Sequence, residues 1–178
     1  MLQVSNFRFI EKNIDVSKIV NEIRSDDWGV VGKLEGAAGD LNPYGFLPLT
    51  MAVVKKMGDD PKKTELQENT PMFYTYPEIR RWLKTYKLHR HSRAAFFRLK
   101  PGDSVRRHID EGTYYLTRDR YHLSLLGTYE YTVGEEMHII EPGTFFWFNN
   151  KEYHSAYNNG NIDRVTFVFD VPKSKRNP

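Results

Sequence analysis

Tyr121-His-Leu-Ser-Leu-Leu-Gly-Thr-Tyr-Glu-Tyr-Thr-Val133, followed after Gly-Glu-Glu by Met137-His-Ile-Ile-Glu-Pro-Gly-Thr-Phe-Phe-Trp-Phe148, is the stretch that decides the fold. Aromatic and β-branched residues dominate it, and such side chains pack well on a pleated surface. Gly127 and Pro142-Gly143 interrupt it with turn chemistry, which leaves short runs, Tyr121 to Leu126, Thr128 to Val133, Met137 to Glu141 and Thr144 to Phe148. Working outward, Ala94-Ala-Phe-Phe-Arg-Leu99 ends at a Pro101-Gly102 turn, and Val165 to Val171 closes the series. Short strands divided by turns predict an all-β sandwich or barrel. Helical patterns come first and strands later, without the alternation of a parallel nucleotide-binding sheet.

Towards the N-terminus, residues 15–25 predict a short amphipathic helix, with Asp15 as N-cap and Val16, Ile19, Val20 and Ile23 on one face. Trp28 to Pro48 reads as irregular or hairpin structure, and 49–70 as an exposed loop with one helical turn. A second helix is expected from Pro77, a good first-turn residue, through Ile79, Trp82 and Leu83 to about Tyr86. The expected organisation is one domain over 1–178, with a helical and irregular part at 1–92 and a barrel core at 93–172.

Composition narrows the function classes. The chain has 178 residues, enough for one domain with a real core. A net charge of +3 does not demand a nucleic-acid partner, and the clusters Lys55-Lys56, Lys62-Lys63 and Lys173 to Arg176 read as solvated surface. The absence of cysteine excludes disulfides, thiolate nucleophiles, iron–sulfur clusters and zinc fingers together. No apolar leader and no membrane-length apolar run appears, so the expected setting is a soluble protein of the reducing cytoplasm.

The chemistry centres on His108-Ile109-Asp110 and a second histidine, His154. Alternation along an extended segment puts His108 and Asp110 on one side. With His154 returning from a distant strand, two imidazoles and one carboxylate make a donor set suited to six-coordinate Fe(II) with positions open for substrate and O2. A lone His-x-Asp pair is otherwise a surface hydrogen-bonded pair; the order of turns and strands between it and His154 favours the metal. Arg164 and Thr166 share a face of Arg-Val-Thr-Phe-Val-Phe, with Val165, Phe167 and Phe169 on the other. A planar guanidinium beside a hydroxyl makes a clamp for a terminal carboxylate, the alternative being a surface arginine on an edge strand. Arg120 and His122 form a similar pair, either donors for a carboxylate next to the metal or a solvated arginine beside a core histidine.

Several pieces in this order resemble the aspartyl/asparaginyl β-hydroxylase family of Fe(II)/2-oxoglutarate oxygenases, which includes the proline hydroxylase branch. They are Pro101-Gly102 before His108-Ile109-Asp110, Arg120-Tyr-His-Leu-Ser-Leu125, Glu141-Pro-Gly-Thr144, His154 and Arg164-Val-Thr166, all between about Phe96 and Pro172. The resemblance implies a double-stranded β-helix, or jelly-roll, a cupin-like barrel with iron held by His108, Asp110 and His154. It implies further that Arg164 with Thr166 takes the distal carboxylate of 2-oxoglutarate, and Arg120 with His122 the carboxylate beside the iron. The implied reaction hydroxylates a C–H bond of an amino acid, free or within a protein, with release of succinate and CO2. Animal aspartyl β-hydroxylases lack the acidic ligand, whereas Asp110 is present here, which is closer to the proline-hydroxylase branch and argues against halogenation.

For substrate, the segment 111–119 is either a covering loop in which Tyr114, Tyr115 or Arg118 touches substrate, or a solvated connection. Trp147 and Phe148 read as core aromatics, and His89, His91 and His138 as ordinary surface or hydrogen-bonded residues. The second function class is a cupin-like metal-binding module that does not use 2-oxoglutarate. Cations at both ends of the cavity speak against it, since such a module has no dicarboxylate to hold.

Overall fold

In the computed structural model, residues 5–29, 45–53, 60–85 and 93–173 are described. The expected helix end at Tyr86, His89 and His91, Lys55-Lys56 and the tail beyond Lys173 lie outside them. The elements are β1 (Phe7–Glu11), α1 (Ser17–Glu22), a 3-10 turn (Ser25–Gly29), β2 (Phe46–Ala52), β3 (Gln67–Asn69), α2 (Pro71–Thr75), α3 (Pro77–Thr85), β4 (Ala94–Leu99) and β5 (Ser104–His108). They continue with α4 (Thr113–Leu116), β6 (Arg118–Leu126), β7 (Tyr129–Val133), β8 (Glu136–Ile140), β9 (Phe145–Phe148), β10 (His154–Tyr157) and β11 (Arg164–Pro172).

Two antiparallel sheets result, one ordered β1-β9-β6-β11-β4-β2-β3 and one ordered β5-β10-β7-β8. From β4 onward the chain crosses between them repeatedly: β4, β6, β9 and β11 in the larger sheet, β5, β7, β8 and β10 in the smaller. That winding is a double-stranded β-helix, as expected. It is an open sandwich, because among the described residues no ladder joins the two sheets into a closed barrel.

Alternation then divides the larger sheet into two faces. Tyr121, Leu123 and Leu125 of β6, Phe145 of β9 and Val165, Phe167 and Phe169 of β11 pack beneath the helices with Ile19, Ile79 and Leu83. Their neighbours Phe146 and Phe148 turn the other way, into a second cluster with Tyr129, Tyr131 and Val133 of the smaller sheet. Each such buried aromatic stabilises by about 1.5–3 kcal/mol. Arg120, His122, Ser124, Arg164, Thr166 and Asp170 occupy the same inward-facing positions as Phe146 and Phe148, so the polar side chains of β6 and β11 lie between the sheets.

Several expectations for the N-terminal half are corrected. Residues 1–92 are not only helical and irregular: β1 pairs with β9, placing Phe7 opposite Phe148, and β2 pairs with β4. The region 49–70 is not an exposed loop, since β2 buries Leu49 completely and β3 pairs against it. The first helix is shorter than 15–25, and Val16 is its N-cap. Asp15 instead accepts from the Ser17 amide and hydroxyl one residue before it, a local turn that competes with capping. The helix from Pro77 forms as expected, and its Glu78 amide is satisfied by the Glu22 carboxylate of α1. Among the described residues no helix is long and apolar enough to cross a membrane.

Candidate metal centre and carboxylate cavity

β5 and β10 are adjacent antiparallel strands whose register sets His154 directly opposite His108. Their rings lie 4.3 Å apart between centroids. Asp110 follows the end of β5, where the chain turns back over the pair and its amide donates to the Asn150 carbonyl. Asp110 Oδ1 is 3.8 Å from His108 Nε2 and 3.9 Å from His154 Nε2. All three ligand atoms fall within 4.8 Å of one another, the one such His/Asp/Glu grouping among the described residues.

The donor set fits a divalent metal in its details. His108 Nδ1 meets the Arg106 carbonyl at 2.8 Å, and His154 Nδ1 meets the Glu152 carbonyl at 2.9 Å. A carbonyl only accepts, so each Nδ1 carries a proton, and the Nε2 of each ring is the nitrogen left to face Asp110 and a metal. Burial, opposed by Asp110 but aided by His108 and Arg120, lowers the His154 pKa to about 4, so its ring is neutral as metal binding requires. Burial also works to raise the Asp110 carboxyl, but the Arg120 guanidinium, His154, Asn150 and His108 outweigh it and hold the group below its ordinary value. The site opens on one side: the His108 side chain is 44% exposed, against 8% for Asp110 and 4% for His154.

Arg120 stands beside this triad, but its donors are engaged. Nε and Nη2 contact the two oxygens of Asp170 at 2.8 and 3.1 Å, and Nη1 contacts Asp110 Oδ2 at 3.0 Å. His122 is buried with its ring edge-on to Tyr131, Phe146 and Phe148. Burial, then the charges of Arg164, Arg120 and His154, hold it neutral, well below the ordinary histidine value.

Further between the sheets, Arg164 is 2% exposed. Its guanidinium sits 4.3 Å from the centre of the Tyr129 ring, and Thr166 Oγ1 donates to the Tyr129 hydroxyl at 3.1 Å. No carboxylate pairs with Arg164 among the described residues. Arg164 Nε, Ser124 Oγ and His122 Nδ1 are buried without hydrogen-bond partners among the described residues. The strand ahead of Arg164 in sequence, β10, lies in the opposite sheet; the ladder neighbours of β11, which carries Arg164, are β4 and β6. The arginine and the histidine ligand therefore face each other across the sandwich instead of lying side by side.

The segment 111–119 holds α4 and is not simply a loop. Tyr114 is fully buried, its ring between the guanidinium groups of Arg93 at 3.7 Å and Arg118 at 4.0 Å. Arg118 is itself buried and ion-paired with Glu65. Tyr115 is the one of the three that reaches the site, through Arg120, 4.9 Å from its ring. Phe148 is fully buried and Trp147 packs against the core, as expected. His138 is half-exposed against Phe7 and Phe9.

Sequence reasoning missed Ser124, Tyr129, Tyr131, Asn150 and Asp170. For Ser124 and Asp170 the signal was present: each continues a same-face series, Arg120-His122-Ser124 and Arg164-Thr166-Val168-Asp170. Asn150 carried no signal, because its role depends on where the turn after β9 falls.

A family model described as Aspartyl/Asparaginyl beta-hydroxylase matches residues 46–174, more than half of the chain and all of the site. No curated protein matches the sequence. Among solved structures the chain is similar to a Cupin 2 conserved barrel domain protein from Salinispora arenicola, at 10% identity over 80% of this chain and 86% of that one, with a TM-score of 0.44. It is similar also to a predicted oxalate decarboxylase from Thermotoga maritima, at 25% identity and a TM-score of 0.39, over 45% of this chain and only 65% of that one. A conserved protein with a double-stranded β-helix domain from Klebsiella pneumoniae matches at 17% identity over 46% of this chain and 67% of that one, with a TM-score of 0.39.

Proposed function

This chain belongs to the aspartyl/asparaginyl β-hydroxylase family, and we propose that it is an Fe(II)/2-oxoglutarate-dependent dioxygenase. In this reading it hydroxylates a C–H bond of an amino acid, free or as a residue in a protein, with release of succinate and CO2, in the cytoplasm. The observation that carries the proposal is Arg164, a buried guanidinium without a carboxylate partner among the described residues, in the same space between the sheets as His108, Asp110 and His154. An unpaired buried charge is costly, and proteins keep one where a ligand of opposite charge completes it.

His108, Asp110 and His154 would hold the iron, and Arg164 with the Thr166 hydroxyl would receive the distal carboxylate of 2-oxoglutarate. Ser124 and His122, whose Oγ and Nδ1 are unsatisfied, follow Arg120 on the same face of β6, with Ser124 opposite Thr166 in the ladder. Bound iron, 2-oxoglutarate and O2 supply the oxidising chemistry. The chain's share is orientation and dryness: Tyr129, Tyr131, Phe146 and Phe148 exclude water from the inner end, while the exposed side of His108 leaves an approach for substrate. A cupin-like metal-binding module would bind metal equally well but would leave Arg164 without a purpose.

Anaerobic addition of Fe(II) and then 2-oxoglutarate to the folded protein tests the reading. The expected result is a weak visible charge-transfer band that needs both additions. Metal binding without any response to 2-oxoglutarate would support the module instead.

A further inference from the structure

We infer that Asp170 is a positioning residue for the metal centre: through Arg120 it holds Asp110 as a single-oxygen ligand. The inference rests on the metal reading of His108, Asp110 and His154, and gives a role to an acid on the far strand β11.

The two oxygens of Asp110 are treated differently. Oδ2 is tied on two sides, by Arg120 Nη1 at 3.0 Å and by Asn150 Nδ2 at 3.0 Å. Oδ1 is the oxygen that lies nearest both imidazole Nε2 atoms, at 3.8 and 3.9 Å. With Oδ2 consumed by two donors, one oxygen is left to face the metal.

Asp170 makes this division possible. It is 1% exposed and takes the Nε and Nη2 edge of Arg120 with both of its oxygens. That edge is one of the two forks with which a guanidinium grips a carboxylate bidentately. With Asp170 occupying it, Arg120 meets Asp110 through Nη1 and a single oxygen. Without Asp170, the whole fork is free to turn on Asp110, engage both oxygens and draw its charge away from the metal. Asp170 also balances the guanidinium, so the negative charge of Asp110 is not spent on Arg120 alone. Register places the pair: Arg120 and Asp170 are direct partners in the β6–β11 ladder. A buried ion pair elsewhere in the core would be packing; this one ends on the metal carboxylate.

The test is metal affinity without cosubstrate, read by loss of the free-ion paramagnetic resonance signal as Mn(II) is titrated into the whole chain. Asp170→Asn removes the balancing charge, and Arg120→Lys removes the fork while keeping its charge; circular dichroism establishes that each is folded. Outer-shell partners of metal ligands are worth about 10–100-fold in affinity, and weakening in that range is expected for both variants. Should Asp170→Asn not fold, Arg120→Lys decides alone. Unchanged Mn(II) affinity in folded variant protein, with 2-oxoglutarate affinity lowered instead, would overturn the inference and return Arg120 to the cosubstrate. A wild-type chain that binds no Mn(II) is a separate result, which overturns the metal reading itself.

Discussion

The guanidinium of Arg164 lies 4.3 Å from the centre of the Tyr129 ring, across the space between the two sheets. The ring face attracts the cation but does not neutralise it, and Nε is left without an acceptor. Arg164 is thus held in place while its charge stays available. Arg164→Met keeps much of the side-chain volume and removes the charge. A hydrogen bond to a charged group contributes about 1.5–3 kcal/mol, so the variant should require about 10–100-fold more 2-oxoglutarate. Steady-state kinetics in 2-oxoglutarate measure this, and an unchanged requirement removes Arg164 from the cosubstrate site.

His108→Ala should abolish succinate production with little change in thermal stability. The His108 side chain is 44% exposed and ends an edge strand, so little packing is lost with it. His154→Ala should abolish activity too but also lower the melting temperature, because that ring is buried against Phe148 and Tyr131. Melting curves of the two metal-free variants separate the effects.

Away from the site, the Tyr76 hydroxyl donates to the buried carboxylate of Asp27, tying the start of α3 to the turn after α1. Burial works to raise the Asp27 pKa, but the Tyr76 hydroxyl and Arg24 bring it below its ordinary value of 3.8. The sign follows: this stabilisation is present above that value and is lost as pH falls through the lower, folded-state pKa. Tyr76→Phe should cost about 1.5–3 kcal/mol near neutral pH, and the gap to wild type should narrow in acid. Urea unfolding at several pH values reads both effects.

Gly143, in the Pro-Gly turn between β8 and β9, has φ of +78°, and an added Cβ would stand 2.5 Å from the Ile14 carbonyl oxygen. Gly143→Ala therefore meets both a disfavoured backbone region and a contact with main chain that cannot swing aside. A destabilisation of about 1–3 kcal/mol from the backbone alone is expected, with further loss from the displaced Ile14–Gly143 hydrogen bond. A midpoint in urea equal to wild type would show that the turn relaxes.

From Ala94 onward β4, β6, β7, β8, β9 and β11 were legible because each carries its own aromatic or β-branched run beside a turn signal; β5 (Ser-Val-Arg-Arg-His) and β10 (His-Ser-Ala-Tyr) carry no such run and stood outside that series. The N-terminal strands were not. In β2, Phe-Leu-Pro-Leu-Thr-Met-Ala reads as a weak strand around a proline, and only its place beside β4 buries Leu49. β1 was overlooked for the same reason: five residues gain strand character from pairing with β9, far along the chain.

The sequence by itself determined which side chains share a face, because alternation is a property of one strand. Arg120 with His122, and Arg164 with Thr166, needed nothing more, and the family resemblance rested on the same local pieces. Only the tertiary structure decided which partners those side chains meet. Arg120 is committed to Asp170 and Asp110, Asn150 to Asp110, and Thr166 to Tyr129, each across a ladder, a turn or the space between sheets. Such partnerships follow from register and sheet stacking, which are set by the whole core packing at once, and no local pattern records them.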